Sequence, residues 1–138
     1  MATVSTYTSR SKFDLEWMER WARLVNDDRR LPVFGRFFSG RFVVVFDDRE
    51  YLVTVFEGKI RRVSEGVGFN DFGYEFGFKA STATWSKFCQ QTPPPMFNDI
   101  WAMHGNPREP SMEFLGNQMT FLQNIRAVTR MIDLMRDV

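Results

Sequence analysis

The chain has 138 residues, enough for one domain with a core that needs no covalent staple. Its 18 basic and 17 acidic residues leave a net charge of +1, which gives no overall pull toward nucleic acid or an anionic membrane. The single cysteine, Cys89, excludes an internal disulfide and fits a reducing, cytoplasmic setting, and no run approaches the roughly 20 apolar residues of a membrane span.

Residues 1–12 are rich in Ser and Thr, lack the apolar run of a secretory signal and read as a disordered lead-in. Residues 13–138 read as a single domain. Phe13 to Asn26 predicts a helix, with Phe13, Trp17, Trp21, Leu24 and Val25 at helical spacing and Ser11 as its cap. Glu16 with Arg20 and Glu19 with Arg23 are the i,i+4 pairs on its outer face. Pro32 reads as a block to further helix. Two local basic clusters, Arg29-Arg30 and Arg61-Arg62, each have acidic neighbours.

Phe37 to Phe46 predicts a strand, because Val43, Val44 and Val45 are β-branched. Asp47 to Glu50 forms a polar turn, and Tyr51 to Phe56 alternates as a second strand. Glu57-Gly58 supplies a tight turn with glycine at positive φ. Lys59 to Ser64 completes an antiparallel meander. Phe72 to Ala80 alternates again, with Phe72, Tyr74, Phe76 and Phe78 on one side and Gly73, Glu75, Gly77 and Lys79 on the other. The bare glycine face marks a close approach or a bend.

Ser81 and Thr82 open a helix carrying Trp85 and Phe88. Pro93 to Pro95 form a rigid corner. Met96 to Met103 predicts a short helix, Ser111 to Leu115 a short strand, and Asn117 to Arg136 one long helix. The apolar stripe of that helix is Met119, Leu122, Ile125, Val128, Ile132 and Met135. The order predicts an α+β domain: an antiparallel or mixed sheet of about five strands, covered on one side by helices.

The last third is apolar in an unusual way. Most of the eight methionines lie there, interleaved with Trp and Phe. Methionine is flexible and polarisable, so such a layer suits an adaptable surface for a hydrophobic guest better than a tightly specified core.

Together these segments resemble the sterol carrier protein 2 (SCP2) family. The resemblance runs from about Trp21 to Arg136. It is carried by "GRFVVVFDDREYLVTVFEGKI", by "YEFGFKASTATWSKF", by the proline-broken segment with "DIWAM", by "MEFLGN" and by the long helix after it. It implies a mixed sheet, helices on one side and an apolar tunnel for sterol, terpenoid or fatty-acyl molecules. By position it places Trp85, Phe88, Met96, Phe97, Ile100, Trp101, Met103, Met119 and Leu122 near a guest. The chain departs from the pattern between Thr92 and Pro110, where proline could reshape or plug the tunnel mouth. It also ends without a Ser-Lys-Leu-type signal.

Catalytic signals are sparse. One histidine, His104, does not make a usual metal site, and Gly66-Val67-Gly68 lacks the context of a nucleotide loop, so neither metal nor cofactor is expected. Cys89 beside Phe88 reads as an inert thiol. An apolar cavity can tune carboxylates for cofactor-free hydration, dehydration or isomerisation. The candidates are Asp99 and His104, then Tyr74 and Glu75, with Asp71 nearby. Asp99 and His104 also suit the two ends of a short helix on dipole grounds alone. The expected partner is a hydrophobic small molecule, not nucleic acid; a homodimer burying the methionine layer is a further reading.

Overall fold

The computed structural model describes residues 13–66, 74–95, 97, 99–105 and 112–138. Ser11, Asp71, Phe72, Gly73, Met96 and the lead-in of residues 1–12 lie outside these.

Helix α1 spans Leu15–Asp27. Its cap is Asp14, which accepts from the Trp17 amide at 2.8 Å and so serves a donor that the first turn leaves unpaired. Trp17, Met18, Trp21 and Val25 face inward. Of the two ion pairs expected on the outer face, Glu16–Arg20 forms at 3.4 Å, while Glu19–Arg23 is not formed among the described residues.

Pro32 does not stop helix formation. It sits in the first turn of a short second helix, α2 (Leu31–Gly35), where a missing N–H costs nothing. Consequently the first strand starts later than its sequence suggests. Phe37 lies outside the sheet and is largely exposed.

The strands are β1 (Gly40–Phe46), β2 (Arg49–Phe56), β3 (Lys59–Glu65), β4 (Phe76–Ala80) and β5 (Glu113–Gly116). They form one mixed sheet in the order β3-β2-β1-β4-β5, with β1 and β4 parallel and the other neighbours antiparallel. The β2–β3 turn has positive φ at Glu57 (51°) and Gly58 (79°), as a two-residue hairpin turn requires. A Cβ at Gly58 would lie 2.6 Å from the Gly35 carbonyl oxygen, so glycine also allows the turn to dock on α2.

One face of the sheet carries Phe42, Val44, Phe46, Tyr51, Val53, Val55, Phe76 and Phe78, all buried in the main core. On the other face Val43 covers Gly77, which explains the bare glycine position in β4. Helix α3 (Thr82–Phe88) follows β4, capped by Ser81, and α4 (Ile100–His104) is capped by Asp99.

The predicted long C-terminal helix is broken. It comprises α5 (Gln118–Gln123), α6 (Ile125–Asp133) and a 3-10 turn, Leu134–Asp137. Asn124 makes the break. Its side-chain amide donates to the Thr120 carbonyl at 3.0 Å, while its backbone N–H turns to Phe121 O. As a result Phe121 is buried, and Met119 and Leu122 face out.

The buried aromatics with polar atoms are satisfied by distant backbone. Trp21 Nε1 donates to Met131 O at 2.7 Å, Trp85 Nε1 to Val45 O at 2.9 Å, and the Tyr51 hydroxyl to Phe13 O at 2.7 Å. These bonds tie α1 to α6, α3 to the sheet, and the start of α1 to β2.

Candidate ligand-binding face and adjoining cleft

The helical layer over β4 and β5 is built around aromatic rings. Phe42 stacks on Phe76 at 5.5 Å, and Phe121 contacts both Phe76 and Phe78, at 5.6 and 5.2 Å. Trp101 lies nearly parallel to Phe121 at 5.4 Å and edge-on to Phe114 at 5.3 Å. A continuous line of rings therefore runs from the centre of the core to Trp101, which is 39% exposed. The same helix that supplies Phe121 exposes Met119, at 62%, and Leu122. Exposed apolar side chains at the open end of an aromatic core make a face that a hydrophobic molecule can cover.

The residues expected near a guest thus divide by depth. Trp85, Phe88, Ile100 and Met103 are buried beneath the face as core side chains. Phe97 is half-buried, with the Lys87 ammonium 5.0 Å from its ring. Trp101, Met119 and Leu122 form the exposed level. Met96 lies outside the described residues. Phe114 and Phe121 join the two levels; both belong to the apolar last third that reads as a layer for a guest, but the family resemblance does not place them near one.

A cleft of about 780 Å³ lies next to this layer, where the ends of β1 and β4 meet α4 and the start of β5. Its lining includes Asp47, Asp48, Lys79, Ser81, His104 and Glu113. Asp47 is held in place by the Thr82 backbone N–H and hydroxyl, which donate to its Oδ2 at 3.1 and 2.6 Å. Those bonds hold its carboxyl below the usual range. The His104 ring stacks on Phe114 at 4.1 Å, and its Nδ1 is 3.1 Å from the Met112 carbonyl oxygen. A carbonyl can only accept, so in the neutral ring Nδ1 carries the hydrogen and Nε2 is the basic nitrogen.

The four acid–base candidates are not brought together. Asp99 is the cap of α4; its Oδ1 accepts from the Ala102 amide at 2.7 Å, and it does not line the cleft. His104 is at the other end of that helix. Tyr74 and Glu75 precede β4, at its far end; Tyr74 lines a smaller groove of about 320 Å³ that shares Asp47, Asp48 and Lys79 with the cleft, while the Glu75 amide donates to Arg41 O. Along the strand Glu75 is six steps from Ser81, roughly 20 Å. Among the described residues, no group of three or more His, Cys, Asp or Glu is placed to hold a metal ion.

No model of a known protein family matches the sequence, and no curated protein matches it. Solved structures do. A crystal structure of sterol carrier protein 2 superposes with a TM-score of 0.64 at 14% identity, over 89% of this chain and 95% of that one. This chain has the fold of sterol carrier protein 2. The solution structure of TT1886 from Thermus thermophilus, a conserved hypothetical protein described as possibly a sterol carrier protein, gives 0.65 at 16% identity, covering 91% and 87%. UbiJ-SCP2, a ubiquinone synthesis protein, gives 0.54 at 10%, covering 87% and 88%. The mixed five-stranded sheet and its helical cover are those of the SCP2 fold. Among the described residues, no helix of this SCP2-like chain is long and apolar enough to cross a membrane.

Proposed function

We propose that this SCP2-like domain binds a hydrophobic small molecule, of sterol, terpenoid or fatty-acyl type, between its sheet and its C-terminal helices. The observation that carries this reading is the line of stacked rings that ends at half-exposed Trp101, with Met119 and Leu122 exposed on the helix beside it. Trp101, Phe97, Met119 and Leu122 would meet the guest first. Ile100 and Met103 are the next layer in, and Trp85 and Phe88 lie deeper. Burying the exposed apolar level under a guest is favourable by about 25 cal/mol for each Å² removed from water.

The test is titration with a fluorescent fatty acid and a fluorescent sterol, alongside native mass spectrometry of the purified protein. Saturable binding, weakened in a Trp101→Ala, Met119→Ala variant that melts cooperatively, supports the reading. Failure of every such probe to bind, with no adduct carried through purification, removes it.

A second reading, cofactor-free acid–base catalysis on a hydrophobic substrate, is favoured by His104. Its tautomer leaves Nε2 as a base beside the cleft, next to the aromatic layer. Asp99, Tyr74 and Glu75 would act only if the substrate reached beyond that cleft. Turnover of a bound compound that survives His104→Ala unchanged would exclude His104 as the base.

A further inference from the structure

The end of the domain opposite the cleft combines exposed apolar side chains with arginine. Val33 and Phe37, one helical turn apart, are 79% and 84% exposed. Phe56, at the end of β2, is half-exposed. These residues belong to neighbouring structure. The β2–β3 turn is fixed to the segment after α2 by Gly58 N–H donating to Phe38 O at 2.8 Å and Glu57 N–H to Ser39 Oγ at 2.9 Å.

Two basic clusters separate in sequence also converge here. Asn26 clamps the start of β3: its side-chain amide donates to Ile60 O at 2.9 Å, and its Oδ1 accepts from Ile60 N at 2.8 Å. Arg29 and Arg30 follow Asn26, and Arg61 follows Ile60. Arg36 and Arg61 lie over Phe37 and Phe56, at 4.8 and 5.7 Å, and Arg126 over Phe34 at 4.8 Å. Lys59 adds a further cation. None of these groups forms an ion pair among the described residues. Among the described residues the acidic groups at this end are Asp27, Glu57 and Glu75, since Asp28 is taken up by Arg130.

The opposite end has the reverse bias. Among the described residues Asp47, Asp48, Glu50, Glu65 and Glu113 gather there, against Arg49 and Lys79. Among the described residues, charge is therefore separated along the strands as a dipole, basic at one end and acidic at the other.

We propose that the α2 and β2–β3 end is a docking surface for an anionic lipid bilayer. Val33, Phe37 and Phe56 would enter the headgroup–acyl boundary, and Arg29, Arg30, Arg36 and Arg61 would meet lipid phosphates. The dipole turns this end toward a negative surface and the carboxylate end away from it. A two-fold dimer through the same patch would set arginine against arginine, which disfavours a second copy as the occupant. The inference does not depend on what the helical layer binds.

The test is co-sedimentation of the full chain with phosphatidylcholine vesicles and with phosphatidylcholine–phosphatidylglycerol vesicles. Binding is expected only to the anionic vesicles and should weaken with salt. A Val33→Ser, Phe37→Ser variant and an Arg36→Gln, Arg61→Gln variant should each lose about tenfold in affinity, with unchanged thermal melting, because all four side chains are exposed. A Phe37→Trp probe should be quenched by brominated anionic lipid beyond the quenching of the unaltered protein. Absence of binding to anionic vesicles at low salt overturns the proposal. So does equal binding by the Val33, Phe37 variant with no added quenching at Phe37→Trp, or a dimer in sedimentation velocity that the same variant abolishes. Hydrophobic-probe binding by the helical layer, measured without vesicles, is a separate readout.

Discussion

Arg130 grips Asp28 with two hydrogen bonds, Nε to Oδ2 at 3.1 Å and Nη2 to Oδ1 at 2.6 Å, joining α6 to the end of α1. The same carboxylate accepts from the Leu31 amide at 3.0 Å, so it also anchors the start of α2. Asp28 is nearly buried and Arg130 is only partly exposed. Asp28→Asn should cost about 2–3 kcal/mol, because Arg130 loses its counter-charge in a poorly solvated place. Urea unfolding at neutral pH measures this; a change under about 0.5 kcal/mol would mean that the pair behaves like an ordinary surface ion pair.

The pH dependence follows from the same contacts. Arg130 holds the Asp28 carboxyl below its usual range, chiefly by hydrogen bonding, and Thr82 does the same to Asp47. A folded-state pKa below the unfolded value means that this stabilisation is fully present above pH of about 4 and is lost as pH falls through the lower folded values. Asp133 has the opposite sign: burial raises its carboxyl, so its penalty is present at neutral pH and relieved on acidification. Referred to its own neutral stability, the unaltered protein should therefore hold to lower pH than Asp133→Asn, which has no such penalty to relieve. Asp28→Asn should flatten the steep acid limb. Chemical denaturation at several pH values below neutrality decides between these slopes.

Gly77→Ala should destabilise the sheet by about 1–3 kcal/mol or more, the range for forcing atoms into a packed interior. The added methyl would lie 2.8 Å from Val43 O and run into the Val43 side chain, which belongs to the strand paired in parallel with β4. Thermal melting of Gly77→Ala against Gly105→Ala makes the comparison, since among the described residues a Cβ at Gly105 would meet only the Trp101 carbonyl oxygen, at 3.3 Å, a much smaller overlap. Equal melting temperatures would contradict this packing.

The single histidine allows its tautomer to be read directly. With Nδ1 facing the Met112 carbonyl oxygen, the neutral ring should be the Nδ1–H form. Long-range proton–nitrogen NMR of uniformly labelled protein, recorded where the ring signals no longer change with added base, should show a protonated Nδ1 and an unprotonated Nε2. The reverse pattern would mean that the Met112 contact is not a hydrogen bond, and would take away the argument for Nε2 as the base.

Much of this architecture is legible in the sequence, for reasons that can be named. The meander is local: β-branched runs, alternation and the Glu57-Gly58 turn each act over a few residues. Less legible is the parallel pairing of β1 with β4, because no short-range signal fixes the partner of Phe76–Ala80. Pro32 reads as a barrier from composition and as a start once its place in the first turn is known. The Met119–Leu122 stripe continues the periodicity of the following helix without a visible break. Asn124 resets that phase by turning its amide onto Thr120, which buries Phe121 in place of the stripe. Trp101 is recognisable as part of an apolar layer, but its stacking on Phe121 depends on that phase change. The cleft at Asp47, His104 and Glu113 is not legible, since three separate segments meet there.

Both outer strands of the sheet are poor templates for another chain. Strand β5 is only four residues long and ends at Gly116, whose φ of 74° turns the backbone away. Strand β3 carries Arg61 and Arg62 and a register shift opposite Thr54 and Val55. Unpaired N–H and C=O groups on such edges are interrupted by charge and by irregular geometry, which discourages strand-to-strand growth. Association of this domain with anything larger therefore falls to its side chains, and aggregation during concentration or mild heating should start from its apolar surfaces rather than from an extended sheet.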